Sequence, residues 1–279
     1  MQVITTVEGM RDWRAAQEGS VGLVPTMGYL HEGHLSLVRA SVEENDATVV
    51  SIFVNPTQFG PGEDLERYPR DEERDLSLLR REGVDAVFMP AAEEMYPPGF
   101  DDWVEVSGPV AERLEGEHRP GHFRGVTTVV ARLFRIIEPT RAYFGQKDAQ
   151  QLRVIRRMVA NLGLPVNVVG LPTVREPDGL AMSSRNVYLS AEERAAALVL
   201  SRALARAKEM ADQGEHDAAR IRATVAEMIA GEPLVEVDYV SVVDDETLEE
   251  LDVLDGPALV LVAARVGATR LIDNVAISA

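Results

Sequence analysis

The chain has 279 residues, enough for one large domain or two moderate ones with an ample core. It contains no cysteine, which excludes a disulfide framework, a thiolate metal site and a cysteine nucleophile. Its net charge of −18 repels nucleic acid and anionic lipid, and no apolar run approaches the roughly 18 residues of a membrane span. The start of the chain also lacks a signal-peptide pattern. We therefore predict a cytoplasmic protein with no nucleic-acid or membrane partner.

The first part of the chain alternates short apolar strands with amphipathic helices. This alternation indicates a doubly wound parallel sheet with helices on both faces, a Rossmann-like α/β domain over residues 1–174. Ligands of such sheets bind beyond the carboxyl ends of the strands. The strands are predicted at 21–27, 47–54, 85–89, 141–144 and 166–170, and the helices at 34–45, 71–83, 125–137 and 148–162.

The pattern changes from about residue 190 onward. Two helices rich in Ala, Glu and Arg are predicted at 190–212 and 216–230, followed by strands at 235–243, 258–266 and 270–277. No helix between these strands is long enough for a crossover, so an antiparallel sheet is expected. We predict a smaller α+β domain over residues 175–279 that closes over the site of the first domain.

The first chemical signal is the turn after the strand at 21–27. It contains Gly28, His31 and His34, and a helical pattern opens at Leu35. The two histidines therefore lie where a helix begins, among free backbone N–H groups and the positive end of the helix dipole. Two imidazoles there could neutralise the charge that builds on a phosphate as its leaving group departs. The alternative is that they only cap the helix or fill its first turn.

Two further polar turns directly follow strands and are expected at the same crevice. One is Asn55-Pro56-Thr57-Gln58, and the other is Gly145-Gln146-Lys147-Asp148. Only Lys147 and Lys208 are lysines among the 28 basic residues. Lys208 lies on a solvated helix face, whereas the compact ammonium of Lys147 at a turn can reach a phosphate oxygen.

A third polar segment, Met-Ser-Ser-Arg-Asn at residues 182–186, lies at the join between the two predicted domains. Two adjacent hydroxyls and a guanidinium on such a loop can wrap a triphosphate. Taken alone, the segment is an ordinary polar loop. Its position after a doubly wound domain with a histidine turn favours the phosphate-binding interpretation.

These segments carry a resemblance to known families. The turn at 31–34 resembles the first signature of the nucleotidylyltransferase and class I aminoacyl-tRNA synthetase superfamily, and residues 182–185 resemble its KMSKS-type second signature. More specifically, the whole chain resembles the pantothenate synthetase family. The matching blocks occur in order at residues 25–34, 53–60, 68–70, 119–126, 144–151 and 181–186.

The resemblance implies a ligase that condenses pantoate with β-alanine at the expense of ATP, through a pantoyl adenylate, releasing AMP and pyrophosphate. It also implies Mg²⁺ bound with ATP and a homodimer. An alternative within enzymes is an adenylyltransferase that releases a nucleotide-capped metabolite. An alternative from another class is a catalytically silent nucleotide-binding regulator.

The resemblance further implies roles for individual residues. The expected catalytic residues are His34, His31 and Lys147, and pantoate would be held by Asn55, Gln58 and Gln151. No metal ligand from the protein is expected. The ATP site would comprise Met27, Gly28, Tyr29, Leu30, His31, Glu32, Gly33, His34, Gly145, Gln146, Lys147, Asp148, Val174, Met182, Ser183, Ser184 and Arg185.

Three points stay open in the sequence. Gln146 stands where the family usually has glutamate, so any role that needs that negative charge is in doubt. The segment at 118–124, with His118, Arg119, His122 and Arg124, could line the pocket or close a dimer contact. Asp71 and Asp75 are expected to cap a helix or face solvent rather than bind Mg²⁺.

Overall fold

A computed structural model describes all of residues 1–279 and divides the chain into two compact units. The first unit comprises Met1–Gln146 and Gln150–Pro172, and the second comprises Lys147–Ala149 and Thr173–Ala279. None of the helices has the length and apolar character needed to cross a membrane.

The first unit is built on a six-stranded sheet in which every pairing is parallel. The strand order is β1-β4-β3-β2-β5-β6, so the direction of winding reverses between β2 and β5. Such a reversal opens a crevice at the carboxyl ends of the strands. The strands are β1 (Gln2–Ile4), β2 (Val21–Thr26), β3 (Ala47–Ile52), β4 (Ala86–Phe88), β5 (Arg141–Gly145) and β6 (Asn167–Leu171).

Eight helices accompany this sheet. Short 3-10 turns at Pro56–Gln58 and Gln146–Asp148 follow β3 and β5, which places both polar turns at the carboxyl edge of the sheet. The helices are α1 (Val7–Ala15), α2 (Glu32–Glu44), α3 (Glu72–Arg81), α4 (Ala92–Met95), α5 (Pro109–Glu112), α6 (Glu115–His118), α7 (His122–Ile137) and α8 (Ala149–Leu162).

The core of the first unit forms because the central strands are mostly apolar and buried on both faces. Val24 of β2, Val50 of β3 and Val87 of β4 are fully buried and pack in one cluster with Leu37 of α2 and Leu79 of α3. Strands covered by helices on both faces are expected to be continuously apolar. This packing fixes the carboxyl ends of β2, β3 and β5, where the candidate site residues emerge.

The second unit is a three-stranded antiparallel sheet with two long helices. Its strands β7 (Val235–Asp244), β8 (Ala258–Val266) and β9 (Thr269–Ile277) pair in chain order. Helices α9 (Ala191–Asp212) and α10 (Ala218–Ala230) share one buried apolar cluster with the sheet. A third 3-10 turn, Ser184–Tyr188, precedes α9.

The predicted fold class is confirmed, and the elements differ in some of their bounds and in number. Helix α2 begins at Glu32, two residues before the predicted start, because the histidine turn itself enters the first helical turn. Strand β1, helix α1 and the short helices α4–α6 were not predicted. Apart from α1, each of these elements is too brief for a period to show in the sequence.

Candidate active site

The histidine turn is a tight backbone structure between β2 and α2. Gly28 has φ of +84° and Tyr29 has φ of +49°, so two consecutive residues adopt left-handed conformations. A Cβ at Gly28 would also lie only 3.0 Å from the Ile52 side chain. Glycine therefore suits this position both in conformation and in space. The turn delivers the chain directly into the N-terminus of α2.

His31 and His34 lie side by side at the start of α2. His31 occupies the N-cap position, and the two ring centroids are 4.0 Å apart. The His34 Nδ1 atom accepts the backbone N–H of His31 at 3.4 Å. Because Nδ1 is an acceptor, the neutral His34 ring carries its proton on Nε2. The two histidines therefore do take part in the first turn of α2, as the alternative interpretation expected. The same hydrogen bond orients the ring N–H of His34 at the helix N-terminus.

Asp75 anchors this turn from α3, and here the sequence prediction was wrong. The side chain is only 1% exposed, and its carboxylate accepts the backbone N–H groups of Tyr29 (2.6 Å) and Leu30 (2.8 Å). Burial raises the pKa of Asp75, and these two hydrogen bonds oppose that rise. Asp71, by contrast, caps α3 as expected, accepting the N–H of Arg74. The spacing of Asp75 four residues before buried Leu79 was a signal that it faces inward.

Asn55 and Gln58 form a second polar group at the end of β3. Asn55 is 1% exposed, and its Nδ2 donates to Gln58 Oε1 (3.1 Å) and to the carbonyl of Gly125 (3.2 Å). Its Oδ1 accepts the hydroxyls of Tyr96 (2.8 Å) and Thr57 (2.9 Å). The Asn55 amide is therefore fully used inside the protein, whereas Gln58 is half-buried.

Gly125 allows α7 to approach this turn closely. A Cβ at Gly125 would lie 2.4 Å from the carbonyl oxygen of Thr57 and 2.7 Å from the Cα of Gln58. No side chain fits at those distances, so any larger residue would displace the turn from the helix. Gly125 thus connects the segment at 119–126 with the turn that carries Gln58.

Arg119 and His122 both bond to the backbone carbonyl of Gln58. His122 Nδ1 lies 2.9 Å from the Gln58 carbonyl oxygen, and Arg119 donates to the same oxygen at 3.3 Å. Arg119 also makes a two-pronged ion pair with Glu63 at 2.7 and 2.8 Å. Burial, reinforced by the Arg119 charge, lowers the pKa of His122 to about 4. The neutral ring therefore donates from Nδ1 to the carbonyl, and its Nε2 accepts from Arg119 at 3.1 Å.

The buried neutral His122 predicts a pH-dependent stability. The unfolded chain protonates this histidine below its ordinary pKa of 6.5, but the folded protein does so only near 4, so stability falls as pH drops across that interval. Between about pH 7 and pH 4, the wild type is expected to lose about 3 kcal/mol more unfolding free energy than His122→Gln. Urea unfolding at several pH values measures this, and parallel curves for the two proteins would contradict it.

In the second unit, the loop at 174–186 is tied to strand β9. Arg175 makes a two-pronged ion pair with buried Asp273 at 2.6 and 3.0 Å. Asn186 donates to Glu176 at 2.8 Å, and the Met182 N–H donates to the Val174 carbonyl at 3.0 Å. These contacts hold the Met-Ser-Ser-Arg segment in a defined conformation.

Within that segment, Ser183 caps the short helix that begins at Ser184. The Ser183 hydroxyl accepts the backbone N–H of Arg185 at 3.2 Å. Ser184 is buried, and Met182 and Arg185 are half-buried. The segment therefore forms an ordered turn that the Ser183 hydroxyl caps.

The lysine turn is attached to the same strand. Asn274 of β9 donates from Nδ2 to the carbonyl oxygen of Lys147 at 2.9 Å. The Lys147 ammonium lies 3.7 Å from Asp148, the residue that follows it. Strand β9 thus holds the backbone of Lys147 through Asn274 and the loop at 174–186 through Asp273.

The remaining predicted residues differ in exposure. Glu32 is exposed and forms an ion pair with Arg39, and Gln146 is exposed at the end of β5. Gln151 on α8 is half-buried, whereas its neighbour Gln150 is buried and bonded to the Glu115 N–H and the Val110 carbonyl. No group of three or more His, Asp or Glu side chains could hold a metal ion.

A doubly wound parallel sheet with paired histidines at a helix N-terminus, beside the switch point, defines a nucleotide-binding α/β enzyme. Comparisons with known proteins give the particular family. The model of the pantoate-beta-alanine ligase family matches residues 2–276. The chain is 60% identical over its full length to the pantothenate synthetase of Roseiflexus sp. (strain RS-1), and it covers all of that protein.

Solved structures agree with this assignment. Pantothenate synthetase from Thermus thermophilus is 53% identical, with a TM-score of 0.97 and complete coverage of both chains. A pantoate-beta-alanine ligase from Francisella tularensis, solved with Beta-gamma ATP and beta-alanine, is 31% identical with a TM-score of 0.81, covering 99% and 97% of the two chains. The chain belongs to the pantoate-beta-alanine ligase family. Its activity is the ATP-dependent ligation of pantoate with β-alanine.

Proposed function

We propose that this ligation proceeds in two steps through a pantoyl adenylate. In the first step a pantoate carboxylate oxygen bonds to the α-phosphorus of ATP, and the bond from that phosphorus to the bridging oxygen breaks, releasing pyrophosphate. In the second step the β-alanine amine bonds to the acyl carbon, the bond to AMP breaks, and the amine loses a proton to solvent. Activation is needed because a free carboxylate has oxide as its leaving group, whereas the adenylate releases AMP.

The observation that carries this proposal is the pair of histidines at the start of α2. His34 is oriented with a proton on Nε2, and the ring of His31 lies 4.0 Å away. We assign His34 to donating that proton toward the departing phosphate, with His31 beside it. Positioned donors of this kind stabilise charge that develops only in the transition state.

The other roles follow the family resemblance. Lys147 would meet a phosphate, Asp148 the ribose and the backbone of Val174 the adenine. The triphosphate would be covered by Met182, Ser183, Ser184 and Arg185. Gln58 and Gln151 would hold pantoate, with Asn55 nearby, since amides bind hydroxyls and a carboxylate without a tight ion pair. The resemblance also implies Mg²⁺ bound with ATP, where it would offset the charge of the phosphates. A cytoplasmic homodimer stays a prediction.

A reaction with one component withheld separates this mechanism from its rivals. With ATP and pantoate alone, we expect pyrophosphate in an amount close to that of the enzyme, because the adenylate stays bound. Adding β-alanine should give AMP and the amide with continuous turnover. Steady release of a nucleotide-capped acid without the amine would favour the adenylyltransferase, and no pyrophosphate under any condition would favour the silent regulator.

A further inference from the structure

We propose that Tyr96 is a positioning residue for the acid substrate. Acting through Asn55, the Tyr96 hydroxyl keeps the Gln58 amide turned so that its Nε2 hydrogens, and not its oxygen, face the substrate. The inference rests on the proposed role of Gln58 in holding pantoate. It adds a residue outside every block that carries the family resemblance.

The first step is that the orientation of the Asn55 amide is fixed. The backbone N–H of Thr57 can only donate, and it lies 3.3 Å from Asn55 Oδ1. The carbonyl of Gly125 can only accept, and it lies 3.2 Å from Asn55 Nδ2. If the amide oxygen and nitrogen of Asn55 exchanged places, its NH₂ group would face the Thr57 N–H and its oxygen would face the Gly125 carbonyl. Neither pair could form a hydrogen bond. The buried amide therefore has one favourable orientation.

The second step is that Asn55 then fixes Gln58. Its Nδ2 donates to Gln58 Oε1 at 3.1 Å, so the Gln58 oxygen is already engaged. The Gln58 Nε2 atom lies 3.2 Å from the Met27 sulfur, which is a weak acceptor that a substrate oxygen can replace. Gln58 is thereby presented as a donor and favours an acceptor atom, such as a carboxylate or hydroxyl oxygen.

The third step is that Tyr96 bonds the oxygen of the Asn55 amide, whereas Gln58 bonds its nitrogen. Its hydroxyl donates to Asn55 Oδ1 at 2.8 Å, the shortest hydrogen bond that this amide makes. The ring is held by Phe53 (6.2 Å between centroids), Phe100 (5.1 Å) and Trp103 (6.4 Å). Burial raises the pKa of Tyr96, so the phenol keeps the proton that it donates. A rigid aromatic cluster thus fixes one end of the chain Tyr96–Asn55–Gln58.

The test is Tyr96→Phe, which removes only the hydroxyl. We expect the KM for pantoate to rise about fivefold to tenfold, the effect of one lost hydrogen bond, while the KM for ATP stays within about twofold. The matched control is Tyr143→Phe, which also removes a phenol bonded to an asparagine, here Asn45 at 2.8 Å, away from Gln58. The control should keep the wild-type KM for pantoate.

A double-mutant cycle distinguishes positioning from a merely structural role. In a Gln58→Ala background, Tyr96→Phe should change pantoate affinity by less than about twofold, because the group that it orients is gone. Where turnover is too slow to measure KM, calorimetric titration gives the dissociation constant for pantoate instead. Fully multiplicative effects, or an unchanged KM in Tyr96→Phe, would overturn the inference while leaving the two-step mechanism intact. Wild-type pantoate affinity in Gln58→Ala would overturn both this inference and the role of Gln58.

Discussion

Replacing His34 with alanine is expected to slow adenylate formation by on the order of 10²-fold or more, with the fold intact. The reason is positional: the His34 ring lies in the first turn of α2, and its Nδ1 accepts the His31 N–H, so the proton resides on Nε2. Alanine removes that donor without adding bulk. Pyrophosphate release from ATP and pantoate, measured in a single turnover, reports this step before the amine takes part.

The control for this experiment is His216→Ala in the second unit. His216 Nδ1 lies 2.9 Å from the carbonyl oxygen of Leu254, so it serves the local structure of that unit. We expect this variant to release pyrophosphate at the wild-type rate even if its melting temperature falls. Circular dichroism and the melting temperature show whether each variant is folded. Pyrophosphate release at the wild-type rate from His34→Ala would remove His34 from the mechanism.

The sheet and its polar edge can be predicted from the sequence because parallel strands buried on both faces must be apolar. The runs at 21–26 and 47–52 are mostly apolar, and every residue in them except the half-buried Pro25 is buried. Their polar members, Thr26, Thr48 and Ser51, are buried as well. The polar residues that follow such runs must then emerge at one edge of the sheet. That reasoning places His31, Asn55 and Gln146 after the carboxyl ends of their strands, where the structure has them.

What supports those residues could not be predicted in the same way. Asp75 reaches the histidine turn across 45 residues of sequence, and Tyr96 reaches Asn55 across 41. Such contacts depend on where α3 and the segment after α4 pack in the fold. Local periodicity in the sequence predicts the helices themselves but not their packing positions. The sequence likewise does not show that Asn55 is buried and bonded within the protein while Gln58 is half-buried. That difference depends on how the turn packs against its neighbours.

The role of the segment at 118–124 also needed the structure. As sequence, Arg119 and His122 could line a pocket or meet a second copy of the chain. In the fold both side chains donate to the Gln58 carbonyl. Glu63 balances the charge of Arg119, and His122 is neutral. Arg119 and His122 therefore hold the backbone of Gln58, while Asn55 holds its side chain. Gln58 is thus held at two independent points, its backbone carbonyl and its side-chain amide.

The second large effect is expected at Asp75. Asp75→Ala leaves the backbone N–H groups of Tyr29 and Leu30 without their acceptor, at a cost of about 2–4 kcal/mol of unfolding free energy. The loss falls on a turn in which Gly28 and Tyr29 already hold positive φ angles, so this turn should loosen first. Because the turn positions His31, we expect adenylate formation to fall at least about tenfold in protein that remains folded.

Asp71 provides the matched control, since it lies on the same helix and also accepts a backbone N–H, that of Arg74. Asp71→Ala should cost about 1 kcal/mol, the usual value for a lost N-cap, with adenylate formation unchanged. Asp75→Asn keeps one acceptor oxygen and should recover part of both losses. Urea unfolding and single-turnover pyrophosphate release measure the two effects. If Asp75→Ala lost stability but formed adenylate at the wild-type rate, the turn would not depend on this carboxylate for its active geometry.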